Sequence, residues 1–140
     1  MRNIFLDSDV LLDLLLDREP FMDDIAEIIE RSLSSKVKLC ISPITITNIY
    51  FIIGKIQNQR KADKQINKIL RIVHIEEVGQ MIIDKAAHSK FKDFEDGVQN
   101  YCAEEAGHEI IITRNTKDYR ESELSVLTPR EYLAKIRIEW

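Results

Sequence analysis

Three stretches of this 140-residue chain place carboxylates where they could act together. Asp7 ends the apolar run "NIFLD" with Asp9 close behind it, "KDFEDGVQ" crowds Asp93, Glu95 and Asp96 ahead of an apolar helical pattern, and Asp118 follows "TRNTK". At about 100° per residue, Asp93, Asp96 and Asn100 share a helical stripe roughly 60° wide, while Phe94, Val98 and Glu95 point elsewhere. Carboxylates facing one cleft repel each other unless protons or a cation neutralise them. A hard divalent ion is the economical solution: Mg2+ or Mn2+ takes oxygen ligands, keeps waters, and supports phosphoryl chemistry by activating one of them.

The surrounding pattern supplies elements to position these acids. "NIFLD" reads as a strand, followed by "SDVLLDLLLDR", where Val10, Leu11, Leu14 and Leu15 recur at helical spacing. Pro20 breaks that pattern before an amphipathic helix built on Ile25, Ile28, Ile29 and Leu33. "VKLCIS" is a second strand, after which Ser42 caps a helix through "ITITNIYFIIGK", with Pro43 at its first position. "QRKADKQINKILR" is a basic amphipathic helix; a short strand around "IVHIEE" and a helix from Val78 to His88 follow. "DFEDGVQNYCAEEAG" sets Phe94, Val98, Tyr101 and Cys102 on one helical face and ends at Gly107, a left-handed C-cap. "HEIIIT", "SVLTP" and the C-terminal "REYLAKIRI" complete an alternation of strands and helices, which predicts an α/β fold with a parallel sheet covered on both faces.

Ligands in such sheets sit at the carboxyl ends of the strands. Asp7 closes the first strand, Asn48 lies in the opening turns after the second, Asp93 and Asp96 begin the helix that feeds the fourth, and Asp118 follows that strand. All are expected on one edge. Each also has a structural role that competes: Asp93 with Asp96 has the layout of a helix cap, Asp7 of a turn or cap, Asp9 of an early-helix acid, and Asp118 and Glu95 of solvated surface.

Composition narrows the class. A 44% hydrophobic and 31% charged chain of this length fits one globular domain over residues 1–140, with enough core to need no disulfide framework. The net charge of −4 gives no general attraction to nucleic acid, so binding it would require a local basic patch or a metal. Cys40 and Cys102 stand alone in apolar surroundings, and His74, His88 and His108 are scattered, as expected of buried thiols in a reducing compartment. "MRNIFLDSDV" meets acids too early for a signal peptide, and no apolar run is long enough to span a bilayer, so a cytoplasmic protein is expected.

Together, "FLDSDVLLDLL", "ISPITITNIYF", "DFEDGVQNYCA" and "IITRNTKDY" resemble, in order and spacing, the blocks of the PIN-domain family, the small ribonuclease fold that includes VapC-type toxins of toxin–antitoxin pairs. The resemblance implies a three-layer α/β/α sandwich with a five-stranded parallel sheet and endonucleolytic attack on RNA by a water activated by Mg2+ or Mn2+. It further implies a homodimer silenced by an antitoxin. Carried over by position, Asp7, Asp96 and Asp118 match catalytic metal-binding acids, Asp93 an auxiliary acid, and Ser8, Thr113 and Asn115 polar residues that support the site. Asn48 stands where the family's second acid is expected, and Asp9 replaces the customary Asn. An amide offers an oxygen without charge, which leaves Asp9 or Asp93 to compensate. Lys90, Lys92, Arg114 and Lys117, with Arg18 beyond the first helix, are candidates for RNA phosphates.

Two other readings fit parts of the pattern. With Asn48 in the site, the chain could be a catalytically weakened PIN domain that binds RNA or protein. "FLDSDV" also fits the opening of haloacid-dehalogenase-like phosphatases, with Asp7 as nucleophile, Asp9 as acid/base and Ser42 as the second-strand hydroxyl, although Thr and Arg follow the "III" strand where that class needs an acidic pair.

Overall fold

A computed structural model describes residues 3–35 and 37–139, so Met1 and Arg2 of the N-terminal reading lie outside it. Five short strands, β1 (Ile4–Leu6), β2 (Leu39–Ile41), β3 (Val73–Ile75), β4 (Ile110–Ile112) and β5 (Ser125–Leu127), form one sheet in the order β3-β2-β1-β4-β5. Every neighbouring pair is parallel. The helices are α1 (Ser8–Leu15), α2 (Met22–Ser35), α3 (Pro43–Ile56), α4 (Gln59–Ile69), α5 (Gln80–Ala87), α6 (Phe94–Glu105) and α7 (Pro129–Glu139), with a 3-10 turn at Thr116–Tyr119.

Strand alternation divides the core in two. Ile4, Leu6, Leu39, Ile41, Ile110 and Ile112 face the layer that carries Val10, Leu11, Ile25, Ile28, Ile49, Ile53 and Leu133. Phe5, Cys40 and Ile111 face the opposite layer, which carries Ile82, Ala86, Val98, Cys102 and Tyr119. Because both faces are buried, β1, β2 and β4 are apolar at every position and fully covered, which is why their sequence shows a continuous run instead of alternation.

The local signals act as expected. Ser42 caps α3, its Oγ accepting from the Thr45 N–H at 3.2 Å, with Pro43 opening the helix. Gly107 takes φ +82°, and the His108 N–H closes on Ala103 O at 3.0 Å, which satisfies the terminal carbonyls of α6. Two expectations fail: Leu33, placed on the apolar face of α2, is 68% exposed, and Phe94 is 52% exposed, whereas Val98 and Cys102 on the same helix are buried. Residue 94 begins α6, ahead of the turns that pack on the sheet.

The sheet order places the reversal of connection direction beside β1. From there the chain moves outward to β2 and β3, then returns to β4 on the other side. The crevice at the carboxyl ends of β1 and β4 is therefore the topological switch point, where side chains can enter without disturbing the ladder.

Candidate active site

Asp7 leaves β1 at that crevice and caps α1, its Oδ1 accepting from the Ser8 N–H at 2.7 Å. Thr113, fully buried at the exit of β4, lies with Oγ1 3.0 Å from Asp7 Oδ2 and 3.1 Å from Asp9 Oδ2. A single hydroxyl proton can serve only one of these carboxylates. Asp9 Oδ2 also accepts from the Arg114 N–H at 3.0 Å and from Asn115 Nδ2 at 3.2 Å, whereas the buried Asp9 Oδ1 has no hydrogen-bond partner. Ser8 turns to the other side, its Oγ donating to Thr45 Oγ1 at 3.1 Å.

Beneath Asp7 sits a residue that the sequence reading passed over. Gln99 is 1% exposed; its Nε2 donates to Thr45 Oγ1 at 2.7 Å and to Asp7 Oδ1 at 3.3 Å, and its Oε1 accepts from Ser42 Oγ. The α6 stripe that meets the acids thus runs through Asp96 and Gln99. Asn100 faces away, accepting from Ser122 Oγ. A polar side chain among Val98, Cys102 and Ala103 was the available clue.

Asp93 caps α6, its Oδ1 accepting from the Asp96 N–H at 3.1 Å. Asp96 and Asp118 share a cavity of about 290 Å³ with Asp93, and Lys90, Lys92, Lys117 and Arg120 stand on its walls. Arg120 adds a cation to those expected from the sequence. Arg114 does not join them: its Nε and Nη2 lie 2.6 and 2.9 Å from the two oxygens of Asp13, and its guanidinium covers the Phe21 ring. Arg18 reaches the same carboxylate, 3.7 Å from Asp13 Oδ1. Asp13 is 1% exposed, so its charge draws both guanidinium groups toward it.

Glu95 is exposed on α6, as expected, and its Oε1 accepts from Asn48 Nδ2 on α3 at 2.6 Å.

The electrostatic consequence is a site short of positive charge. Burial raises the Asp7 carboxyl above its ordinary value. Asp9 is pushed up to about 6 by burial and then by the charge of Asp7. Asp96 is pushed up to about 7 by burial, then by Asp7, Asp93, Asp118 and Glu95. The buried Tyr119 hydroxyl is driven upward by burial and by the charges of Asp7 and Asp96. Folded, these carboxyls keep protons that the unfolded chain releases near pH 4. Their stabilising contribution is therefore full below about pH 4 and is lost as pH rises through about 6 and 7. The melting temperature in EDTA should fall between pH 5 and pH 8, and added Mg2+ should raise it more at pH 8 than at pH 5. Calorimetry across that range checks both.

A second cluster arises where the sequence showed only scatter. Cys40, Glu76 and His108 offer ligand atoms within 4.8 Å of one another. Its groups already satisfy each other, since His108 Nε2 lies 2.6 Å from one Glu76 oxygen and His74 Nε2 lies 3.0 Å from the other. Burial pushes the Cys40 thiol up to about 11 and the Cys102 thiol up to about 12, which opposes thiolate formation. The oxygen-rich cleft is the better match for a hard cation: Asp7, Asp96 and Asp118 supply carboxylates, and the buried Asp9 Oδ1 has no hydrogen-bond partner.

The phosphatase reading does not survive this geometry. Asp9 is tied into the exit of β4 by three contacts, Ser42 is engaged by Gln99, and Thr113 and Arg114 occupy the place of the required acidic pair.

Comparison with known proteins leads elsewhere. Ribonuclease VapC1 of Aquifex aeolicus (strain VF5) is 28% identical over 134 residues, covering 92% of each chain. Among solved structures, DNA-bound VapBC from Salmonella typhimurium has a TM-score of 0.73 at 14% identity, covering 92% of this chain and 99% of that one. VapBC2 from Rickettsia felis, bound to a DNA fragment from its promoter, has a TM-score of 0.71 at 11% identity, covering 89% and 96%. These structures share the fold. The family model described as PIN domain matches residues 3–117, from β1 into the 3-10 turn, with Asp7, Asp9, Asp93 and Asp96 inside the match and Asp118 one residue beyond it, and the chain belongs to the PIN-domain family.

Proposed function

We propose that this chain is a metal-dependent endoribonuclease and the toxin of a type II toxin–antitoxin pair. The observation that carries the reading is the cavity that Asp96 shares with Asp93 and Asp118, close enough to Asp7 that burial, and then the charges of Asp7, Asp93 and Asp118, push Asp96 up to about 7. These three carboxylates hold Mg2+ or Mn2+, with Asp93 as an auxiliary acid that also caps its helix. When bound, such an ion activates a water and stabilises the leaving oxygen of a phosphodiester. Gln99, Ser8 and Thr113 orient Asp7, while Asn115 and the Arg114 backbone hold Asp9. Lys90, Lys92, Lys117 and Arg120 line the same cavity and are placed to neutralise RNA phosphates, which overcomes the net negative charge of the chain locally.

Ribonuclease VapC1 supports the activity, and the VapBC complexes support an antitoxin partner. Phe51 and Ile56 on α3 are 63% and 59% exposed, apolar surface suited to a protein partner or a second copy of the chain. Among the described residues no helix is long and apolar enough to cross a membrane.

The direct test is cleavage of a panel of structured RNAs with Mg2+ or Mn2+, against EDTA and Asp7→Asn. Cleavage by wild type alone, and only with metal, is expected; cleavage that persists undiminished in Asp7→Asn or in EDTA overturns the assignment. The neutral Asn48 favours a second reading, an RNA- or protein-binding module, which expects RNA retention without cleavage in the same assay.

A further inference from the structure

The register of the sheet assembles a second group of ligand atoms, none of which lines the cavity of Asp93, Asp96 and Asp118. Cys40 on β2 pairs with Phe5 on one side and with His74 on the other. Glu76 stands two residues beyond His74 and so shares its face, and its N–H donates to Ile41 O at 2.8 Å, which carries the ladder past β3. His108, ahead of β4, reaches the same row. Its ring meets Phe5 edge-on with centroids 5.7 Å apart, and its Nε2 lies 2.6 Å from Glu76 Oε2. The Cys40 thiol, a Glu76 oxygen and a ring nitrogen of His108 thereby come within 4.8 Å of one another. Cys102 is engaged elsewhere, its Sγ 3.7 Å from the Glu77 carbonyl.

Hydrogen bonding within the group is incomplete. His108 is 6% exposed, and while Nε2 faces Glu76, the buried Nδ1 has no hydrogen-bond partner, an unusual state for a buried polar nitrogen. Glu76 and His74 also line a cavity of about 590 Å³, which gives the group a route from solvent. A thiol, an imidazole and a carboxylate are a poor set for Mg2+ and the ordinary set for Zn2+, which takes three protein ligands and a water in open sites. Burial opposes loss of the Cys40 proton to water, but a coordinated cation takes that proton's place outright. We propose that Cys40, Glu76 and His108 form a binding site for a borderline-soft ion of the Zn2+ class, with water from the cavity in the fourth position. Such an ion would clamp β2, the exit of β3 and the entry to β4, and would stabilise the fold by binding only the folded chain. The assignment does not depend on whether the carboxylate cleft holds a metal.

The test titrates the full, reduced, metal-stripped chain with Co2+ and then with Zn2+. Co2+ is expected to bring up a thiolate-to-metal charge-transfer band in the near ultraviolet, which oxygen ligands do not give, and Zn2+ should bleach it by displacement. X-ray absorption of the Zn2+-loaded wild type should show sulfur at about 2.3 Å beside lighter ligands at about 2.0–2.2 Å. Cys40→Ser should abolish the band and weaken Zn2+ binding by at least the roughly 10- to 100-fold that loss of an outer-shell partner costs. Glu76→Gln, which leaves the thiol in place, should weaken Zn2+ binding while keeping the band. Asp96→Asn should keep both, because the carboxylate cleft is a different site. The proposal is overturned if wild type gives no charge-transfer band, if its bound Zn2+ has only oxygen and nitrogen neighbours, or if Asp96→Asn removes the band. Should Cys40→Ser fail to fold, the sulfur neighbour in wild type decides alone.

Discussion

Asp96→Asn is expected to lower metal-dependent RNA cleavage by on the order of 10²-fold or more while making the metal-free protein more stable at pH 8. The two signs follow from one cause. Asp96 is pushed up to about 7 by burial and by Asp7, Asp93, Asp118 and Glu95. A negative charge in the first turn of a helix ordinarily gains about 0.3–1 kcal/mol from the helix dipole. Here the upward shift shows that desolvation and repulsion outweigh that gain. Asparagine keeps the shape, removes the repulsion and flattens the fall in stability between pH 5 and pH 8. It also removes one of the carboxylates proposed above to hold a divalent ion. Single-turnover cleavage and a melting curve in EDTA check the pair of effects. Loss of activity accompanied by a lower melting temperature would point to a structural role for Asp96 instead.

Arg114→Ala is expected to destabilise the fold by about 3 kcal/mol, the lower end of what breaking a buried ion pair costs. The guanidinium contacts both oxygens of Asp13, which is 1% exposed, and removal leaves that carboxylate buried without its main partner. Arg18, 3.7 Å away, compensates only in part. The pair ties α1 to the exit of β4, where the Arg114 backbone and Asn115 hold Asp9, so cleavage should fall as well. Asp13→Leu with Arg114→Met should recover most of the stability, because apolar groups then fill the site with no charge left unpaired. Urea denaturation measures the loss and the recovery. An Arg114 that served only RNA would weaken binding and leave the midpoint unchanged.

Much of the architecture was legible in the residues. The strands "IFL", "LCI" and "III" are apolar throughout because they are covered on both faces, and strands separated by helical patterns leave a parallel sheet as the simple solution. Ser42 with Pro43, Asp93 ahead of Asp96, and Gly107 after α6 act locally, within a turn of chain, so their effects could be inferred from neighbours alone.

The contacts that decide the site are not local. Arg114 looked like a phosphate ligand until a buried carboxylate one hundred and one positions earlier claimed it. Gln99 looked like an ordinary helical residue, yet it lies under Asp7 because α6 packs where β1 and α3 meet. His108 reaches the carboxylate of Glu76 from thirty-two positions away, beside His74. Glu95, turned from the stripe of Asp93 and Asp96 on its own helix, faces Asn48 on another. By itself the sequence determined the layers, the edge of the sheet where chemistry is possible and the acids available there. Tertiary structure alone decided which charges are paired and which remain exposed to a ligand, because a side chain's partner depends on helices brought together by packing, which no single stretch of sequence encodes.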